Sequence, residues 1–320
     1  MRARRILLGC LVGLVALVAS AGAAEPAIEP SSFRIVGYLP EYRAAEFDLD
    51  AARCLTDLIV FSAEPTPTGQ LDLSRINDIP WAKLRAFKTR HRVRLILCVG
   101  GAEFSTHFPA VAGSDVKRRE FAKAAVAVCL DKRLDGVDLD WEHPQNAAEE
   151  EGYGMLLAEL HQAFEPHGLT LSVTLAGWQK LPRGAFDSVD WVNVMAYDHP
   201  GQHSTLEAAQ SDVKKLLDAG APTGKITLGL PFYGRDTKNP DQALTYREIL
   251  AKFRPGPEKD EIGTMYLNGP ATIRRKVEYA LKARLAGVMI WELGQDAPGD
   301  QSLLNVIRAT VDGPRHKSTK

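Results

Sequence analysis

Eight short apolar or β-branched runs recur along this chain, each followed by a segment with helical spacing, and that alternation confines the fold to a parallel sheet covered by helices. The runs are Arg34–Leu39, Leu58–Ser62, Arg94–Val99, Gly136–Asp140, Leu169–Leu175, Trp191–Ala196, Ile226–Leu230 and Gly287–Trp291. Between them, Tyr153, Leu156, Leu157, Leu160 and Phe164 make one helical stripe, and Val213, Leu216 and Leu217 end another before Gly220. Eight strands are the number that closes a barrel, so the expected class is α/β, a single (β/α)8 TIM barrel. An open doubly wound sheet competes with it, but such a sheet carries a glycine-rich phosphate loop after its first strand. Gly37-Tyr38-Leu39-Pro40 is nothing of that kind. One barrel uses about 250 residues, and no linker or low-complexity block divides the rest of the 320.

The first 23 residues are expected to stand outside the fold. Arg2, Arg4 and Arg5 precede an apolar run from Ile6 to Val18, and the small residues Ala21-Gly22-Ala23 follow. That order is the pattern of a secretory signal peptide, with cleavage after Ala23 and a secreted (extracellular or periplasmic) product. The run is short for a membrane span, so no membrane association is expected after cleavage. The barrel then occupies 24–313, and 314–320 form a basic, frayed tail. Removing three arginines and no acids takes the formal charge from -1 to -4, which gives no reason to expect nucleic acid as a partner. Cys54, Cys98 and Cys129 are odd in number and widely spaced, which fits neither a disulfide framework nor a zinc site.

The chemistry concentrates in Leu134-Asp-Gly-Val-Asp-Leu-Asp-Trp-Glu142. Asp138, Asp140 and Glu142 are two apart, so on a strand they share one face, with Val137, Leu139 and Trp141 on the other. In a barrel the apolar face meets the helices, which leaves three carboxylates in the interior. There they repel one another and lose hydration unless protons are shared. A hard cation wants oxygen ligands around it, and three acids on one strand form a line. His199 and His203 sit beside Pro200 and Gly201, away from helical metal-pair geometry. No metal or other cofactor is therefore expected. Proton chemistry fits better, with the outermost acid, Glu142, protonated near neutrality as a general acid.

Asp135-Gly-Val-Asp-Leu-Asp-Trp-Glu142 resembles the signature of glycoside hydrolase family 18, the chitinases and their relatives. Cys98-Val-Gly-Gly101 is similar to the family's third-strand motif, Met195-Ala-Tyr197-Asp198 to its sixth and Gly229-Leu-Pro-Phe-Tyr-Gly-Arg235 to its seventh. Trp291 stands where the family places the tryptophan under the sugar. The resemblance runs from about Phe33 to about Val311. It implies a retaining, substrate-assisted hydrolase of β-linked N-acetylglucosamine glycans. Glu142 would be the acid/base, Asp140 would hold the acetamido group, Asp138 would share a proton with Asp140, and Tyr197 would bond the acetamido carbonyl. Met195, Asp198, Arg235 and Trp291 would bind or shape the sugar. Tyr38, Phe61, Gly101 and Trp178, near the ends of expected strands, complete the substrate-binding set.

The chain departs from the family pattern at three places. Cys98 stands where a serine usually supports the aspartates, Ala102 lacks an aromatic side chain, and His143 replaces a tyrosine. The stretch Asp236 to Asn268 is too short for the family's α+β insertion domain, which predicts a shallower groove. A monomer acting on N-acetylglucosamine-containing glycan is expected. The alternatives are a lectin-like binder, disfavoured because Glu142 and both aspartates are kept, and an endo-β-N-acetylglucosaminidase acting on N-glycan or cell-wall glycan.

Overall fold

The computed structural model describes residues 33–313, so the expected signal peptide and basic tail lie outside the described residues. Eight parallel strands form the barrel: β1 (Arg34–Pro40), β2 (Asp57–Pro65), β3 (Arg94–Gly100), β4 (Gly136–Asp140), β5 (Thr170–Ala176), β6 (Trp191–Met195), β7 (Ile226–Pro231) and β8 (Gly287–Trp291). Each pairs with its sequence neighbours, and β1 also pairs with β8, which closes the ring. All eight expected runs are strands, two with the expected bounds and the others with ends moved by at most three residues.

The principal outer helices are α1 (Trp81–His91), α2 (Asp115–Lys132), α3 (Ala147–Phe164), α4 (Leu206–Asp218), α5 (Tyr246–Phe253), α6 (Pro270–Lys282) and α7 (Leu303–Asp312). Several start on side-chain caps: Ser114 accepts from Lys117 N–H, Asn146 from Glu149 and Thr205 from Ala208. Thr245 and Glu248 cap α5 reciprocally. Two barrel crossovers differ from the expected regular helices. Residues 41–56 make only a four-residue helix and a 3-10 turn, and 177–190 only a 3-10 turn. The second carries Gly177, Pro182 and Gly184, which work against a continuous helix. The segment expected to be too short for an insertion domain folds as a small four-stranded antiparallel sheet, drawn from Tyr233–Asp236, Ala243–Thr245, Glu261–Ile262 and Met265–Tyr266.

Strand periodicity separates two cores. Outward residues such as Val137, Leu139, Trp141, Leu171, Val173 and Leu175 pack under the helices. The barrel interior holds a smaller cluster of Val36, Tyr38, Ile59, Phe61, Ile96, Cys98, Trp191 and Met289. Cys129 packs in the outer core, and Cys54, Cys98 and Cys129 are free thiols.

At the N-terminal mouth, Trp191 lies under the Arg34 guanidinium, 4.1 Å from the ring centroid, with Arg94 at 5.4 Å. Both arginines bond the buried Asp57, at 3.3 and 2.6 Å. These residues open four strands and tie the mouth together, remote from the C-terminal ends where barrel sites lie. Asp57→Asn leaves two guanidiniums without their counter-charge, and breaking a buried pair costs about 3 kcal/mol. Chemical denaturation should register that loss. A change below about 1 kcal/mol would assign this cluster no structural weight.

Candidate active site

At the opposite mouth the ends of β1, β2, β4, β5, β6 and β8 bring the expected residues together. Regular pairing of β4 stops at Asp140, and Glu142 lies two residues beyond. Asp138 and Asp140 are buried on the interior face, while the Glu142 side chain keeps 20% of its exposure. The backbone beside them is shaped by Gly100 and Gly101, at φ of 109° and 108°. A Cβ on Gly100 would meet the Asp140 carbonyl oxygen at 2.2 Å, and one on Gly101 the Phe61 ring at 2.4 Å. Gly101 N–H donates to the Asp140 carbonyl at 2.7 Å. Ser105 Oγ receives the Glu142 N–H at 3.0 Å.

Asp138 is held by four donors from three strands. Tyr38 Oη donates at 2.7 Å, Ser172 Oγ at 2.5 Å, Thr174 Oγ1 at 3.0 Å and Asn193 Nδ2 at 3.0 Å. Burial still raises its pKa, and those hydrogen bonds oppose the rise. None of the Asp138 bonds runs to Asp140, so the expected proton sharing has no direct hydrogen bond behind it. Asp140 Oδ1 is buried with no hydrogen-bond partner in the described chain. Burial, then the charges of Glu142 and Asp138, push the Asp140 carboxyl well up. Burial and the charge of Asp198 raise Glu142 to about 7.

Ser172, Thr174 and Asn193 were not anticipated. Their signal is present in the sequence: polar residues alternate with Leu171, Val173 and Leu175 on β5, and Asn193 sits between Val192 and Val194 on β6. In register, Asp138 has Cys98 on one side and Ser172 on the other. The hydroxyl missing at Cys98 is thus supplied from the opposite flank. Burial and the three carboxylates push the Cys98 thiol well up, which keeps it neutral.

The remaining expected residues form the walls. Trp291, Phe61 and Tyr38 make an aromatic cluster, with centroids 4.8 Å apart for Trp291–Phe61 and 5.6 Å for Trp291–Tyr38. Met195 and Tyr197 pack against the interior cluster. The Tyr197 hydroxyl has Met289 Sδ at 3.9 Å. Asp198 adopts a left-handed φ of 62°. It accepts from Tyr233 Oη at 2.5 Å and from Arg235 Nε and Nη2 at 2.5 and 2.8 Å. Burial alone would raise the Asp198 carboxyl, but His203, Arg235 and Tyr233 hold it well below the usual carboxylate range. Arg235 also donates to the Pro240 carbonyl at 2.6 Å, so its described bonds hold Asp198 and a loop. Trp178 is 63% exposed at the rim.

The site therefore holds two neighbouring carboxyls, Asp140 and Glu142, raised above the usual range, one firmly ionised carboxylate at Asp198, and an unpartnered buried oxygen on Asp140. That is equipment for proton transfer to a bound polar ligand.

Two outcomes follow from these environments. A carboxyl whose folded pKa exceeds its unfolded value contributes stability that is full below the unfolded pKa and is lost as pH rises through the folded one. For Glu142 that window runs from its ordinary 4.5 to about 7. Glu142→Gln should therefore gain stability relative to the parent between those values, and thermal melts across pH would contradict this if the two curves stayed parallel. Ser172→Ala should cost about 2 kcal/mol, the usual value of a bond to a charged group. Adding Cys98→Ser should recover part of it, and no recovery would mean that position 98 cannot serve Asp138.

Comparison with known proteins places these motifs. The model of "Glycosyl hydrolases family 18" matches residues 34–296. Endochitinase 1 of Metarhizium robertsii is 25% identical over 71% of this chain and 67% of its own length. Probable chitinase 2 of Drosophila melanogaster is 27% identical over 68% of this chain, which spans only 59% of that relative. Among solved structures, the GH18 chitinase ChiB of Flavobacterium johnsoniae superposes with a TM-score of 0.76 and 29% identity, covering 87% of this chain and 93% of that one.

Proposed function

The chain belongs to family 18 of the glycosyl hydrolases, and from that premise we propose that it hydrolyses β-linked N-acetylglucosamine chains of the chitin class. The observation that carries the reading is the contrast on one strand. Glu142 keeps a proton to about pH 7 while Asp140, beneath it, presents a buried oxygen with no partner. In a retaining glycosidase with an enzyme nucleophile, two carboxyl groups flank the scissile bond about 5 Å apart. Asp140 and Glu142 leave one strand in one direction, so Asp140 is poorly placed to attack from behind while Glu142 protonates in front. Family 18 is a known substrate-assisted exception, and the substrate's own acetamido group supplies the nucleophile.

Glu142 gives its proton to the glycosidic oxygen as the C–O bond breaks. The acetamido carbonyl oxygen bonds the anomeric carbon, forming an oxazolinium ion. Asp140 accepts the acetamido N–H, and the Tyr197 hydroxyl donates to the acetamido oxygen. Trp291 and Phe61 form the floor under the reacting sugar. Water then attacks the anomeric carbon and returns a proton to Glu142, which leaves a β-configured product. The names of the relatives favour chitin as the substrate. The arginine, apolar and small-residue order of residues 2–23 supports export, followed by action outside the cytoplasm.

Glu142→Gln should lower kcat on chitin oligomers by about 10²–10⁴-fold while oligomer binding survives. Retention of more than about a tenth of the activity would remove Glu142 from the acid role. Proton NMR of the first-formed product should show the β-anomer, with cellulose oligomers left intact. An initial α-anomer, or cellulose cleavage at a comparable rate, would require another nucleophile.

A further inference from the structure

His143 follows Glu142 directly, and its ring occupies a position that the mechanism above does not use. Its Nε2 lies 3.6 Å from Glu142 Oε2, and both side chains are about four-fifths buried. Its Nδ1 lies 3.0 Å from Gln179 Oε1. Gln179 is itself buried, and two backbone groups settle which way its amide points. Its Nε2 donates to the Trp141 carbonyl at 3.3 Å, and its Oε1 accepts from Ala176 N–H at 3.4 Å. The reversed amide would set oxygen against carbonyl and NH2 against N–H. The atom facing His143 Nδ1 is therefore an acceptor, and Nδ1 must carry a hydrogen. In the neutral imidazole that leaves the Nε2 lone pair turned toward the Glu142 carboxyl.

We propose that His143 is a positioning residue that stores and returns the proton of Glu142, so that the pair, and not Glu142 alone, sets the upper pH limit of turnover. The inference rests on Glu142 being the general acid. In the transfer, a small turn of either side chain closes the 3.6 Å gap to hydrogen-bond distance, the Glu142 Oε2–H bond breaks and an Nε2–H bond forms, leaving a carboxylate beside an imidazolium. The reverse step restores the acid before the glycosidic bond is cut. After cleavage the imidazolium steadies the Glu142 carboxylate until water reprotonates it. A proton shared over two sites is held to higher pH than either site alone would hold it. The other ionisable groups bearing on Glu142 include Asp140 on β4, Asp198 and Tyr197 at the end of β6, and Cys98 on β3. Trp178, 4.7 Å from the imidazole between centroids, and Gln179 pack on it without charge. Gln145 Nε2 bonds only the His143 carbonyl, so it leaves the ring nitrogens alone.

Two measurements on the full chain test the proposal. The first is an NMR titration of the Glu142 side-chain carboxyl in glutamate-labelled protein, with the resonance assigned by Glu142→Gln. Replacing His143 by Asn removes the second site for the proton, so the Glu142 midpoint should fall by about one pH unit, the scale of one partly exposed neighbour at this distance. A midpoint that does not move overturns the proposal. The second is kcat/KM against pH on a chitin oligomer. His143→Asn keeps a donor toward Gln179 and loses the lone pair facing Glu142, and His143→Tyr keeps the ring's bulk. Both should move the alkaline limb down by about one pH unit while activity at pH 5 stays within about threefold. A limb unchanged in both variants overturns the proposal even if the NMR midpoint shifts. The titration needs no substrate. An enzyme inactive on every N-acetylglucosamine chain would thus sink the proposed activity separately from the coupling.

Discussion

The structure turns on the burial of a row of carboxyl groups inside a closed sheet. Asp138 is fully enclosed, and an isolated charge there would be prohibitive. It is sustained by hydroxyl and amide donors from β1, β5 and β6, strands that no local segment of chain could bring to one atom. Barrel closure is therefore the condition under which the site exists. Tyr38, Thr174 and Asn193 have second partners as well. Asn193 Oδ1 accepts from Thr227 Oγ1 at 2.7 Å and from Trp191 Nε1 at 3.1 Å, which extends the network across β7.

Going outward along β4, the environments diverge. Asp138 is saturated with donors, Asp140 has an unpartnered oxygen, and Glu142 retains a proton to about pH 7. Across the mouth, Asp198 is held ionised by Arg235 and Tyr233, and its fixed charge helps raise Glu142. Four carboxyl groups thus acquire different protonation behaviour from depth, hydrogen-bond supply and the charges of their neighbours. The stability given up by keeping Glu142 in this setting is the physical counterpart of its suitability as an acid.

The two mouths of the barrel divide the work. Asp57, Arg34, Arg94 and Trp191 seal the N-terminal mouth with charges that find partners in one another. At the C-terminal mouth, Gly100 and Gly101 allow β3 to press against the Asp140 backbone and the Phe61 ring, where any side chain would collide. Both glycines also take positive φ, so two separate requirements select the same residue type.

Most of the architecture was legible because it depends on local periodicity. The eight strands, the inward facing of Asp138 and Asp140, and the outward facing of Val137, Leu139 and Trp141 follow from a two-residue repeat. The reduced crossover at 177–190 carries Gly177, Pro182 and Gly184, which argue against the helix expected there, whereas 41–56 holds neither glycine nor proline and nothing local marks its shortened helix. The role of Gly101 was foreseen only as part of a motif, since its contact with Phe61 joins two strands far apart in sequence. Ser172, Thr174 and Asn193 were visible as polar residues at interior positions, yet nothing local says which carboxylate they serve. The same holds for Arg235, whose grip on Asp198 reaches across the β6 and β7 ends, and for His143, whose tautomer depends on how Gln179 is pinned. The sequence by itself determined which side chains face the barrel interior, because alternation along a strand is a property of the backbone. Only the tertiary structure decided which of those groups hold charge and which hold a proton, because desolvation and hydrogen-bond supply come from neighbours brought together across the closed ring.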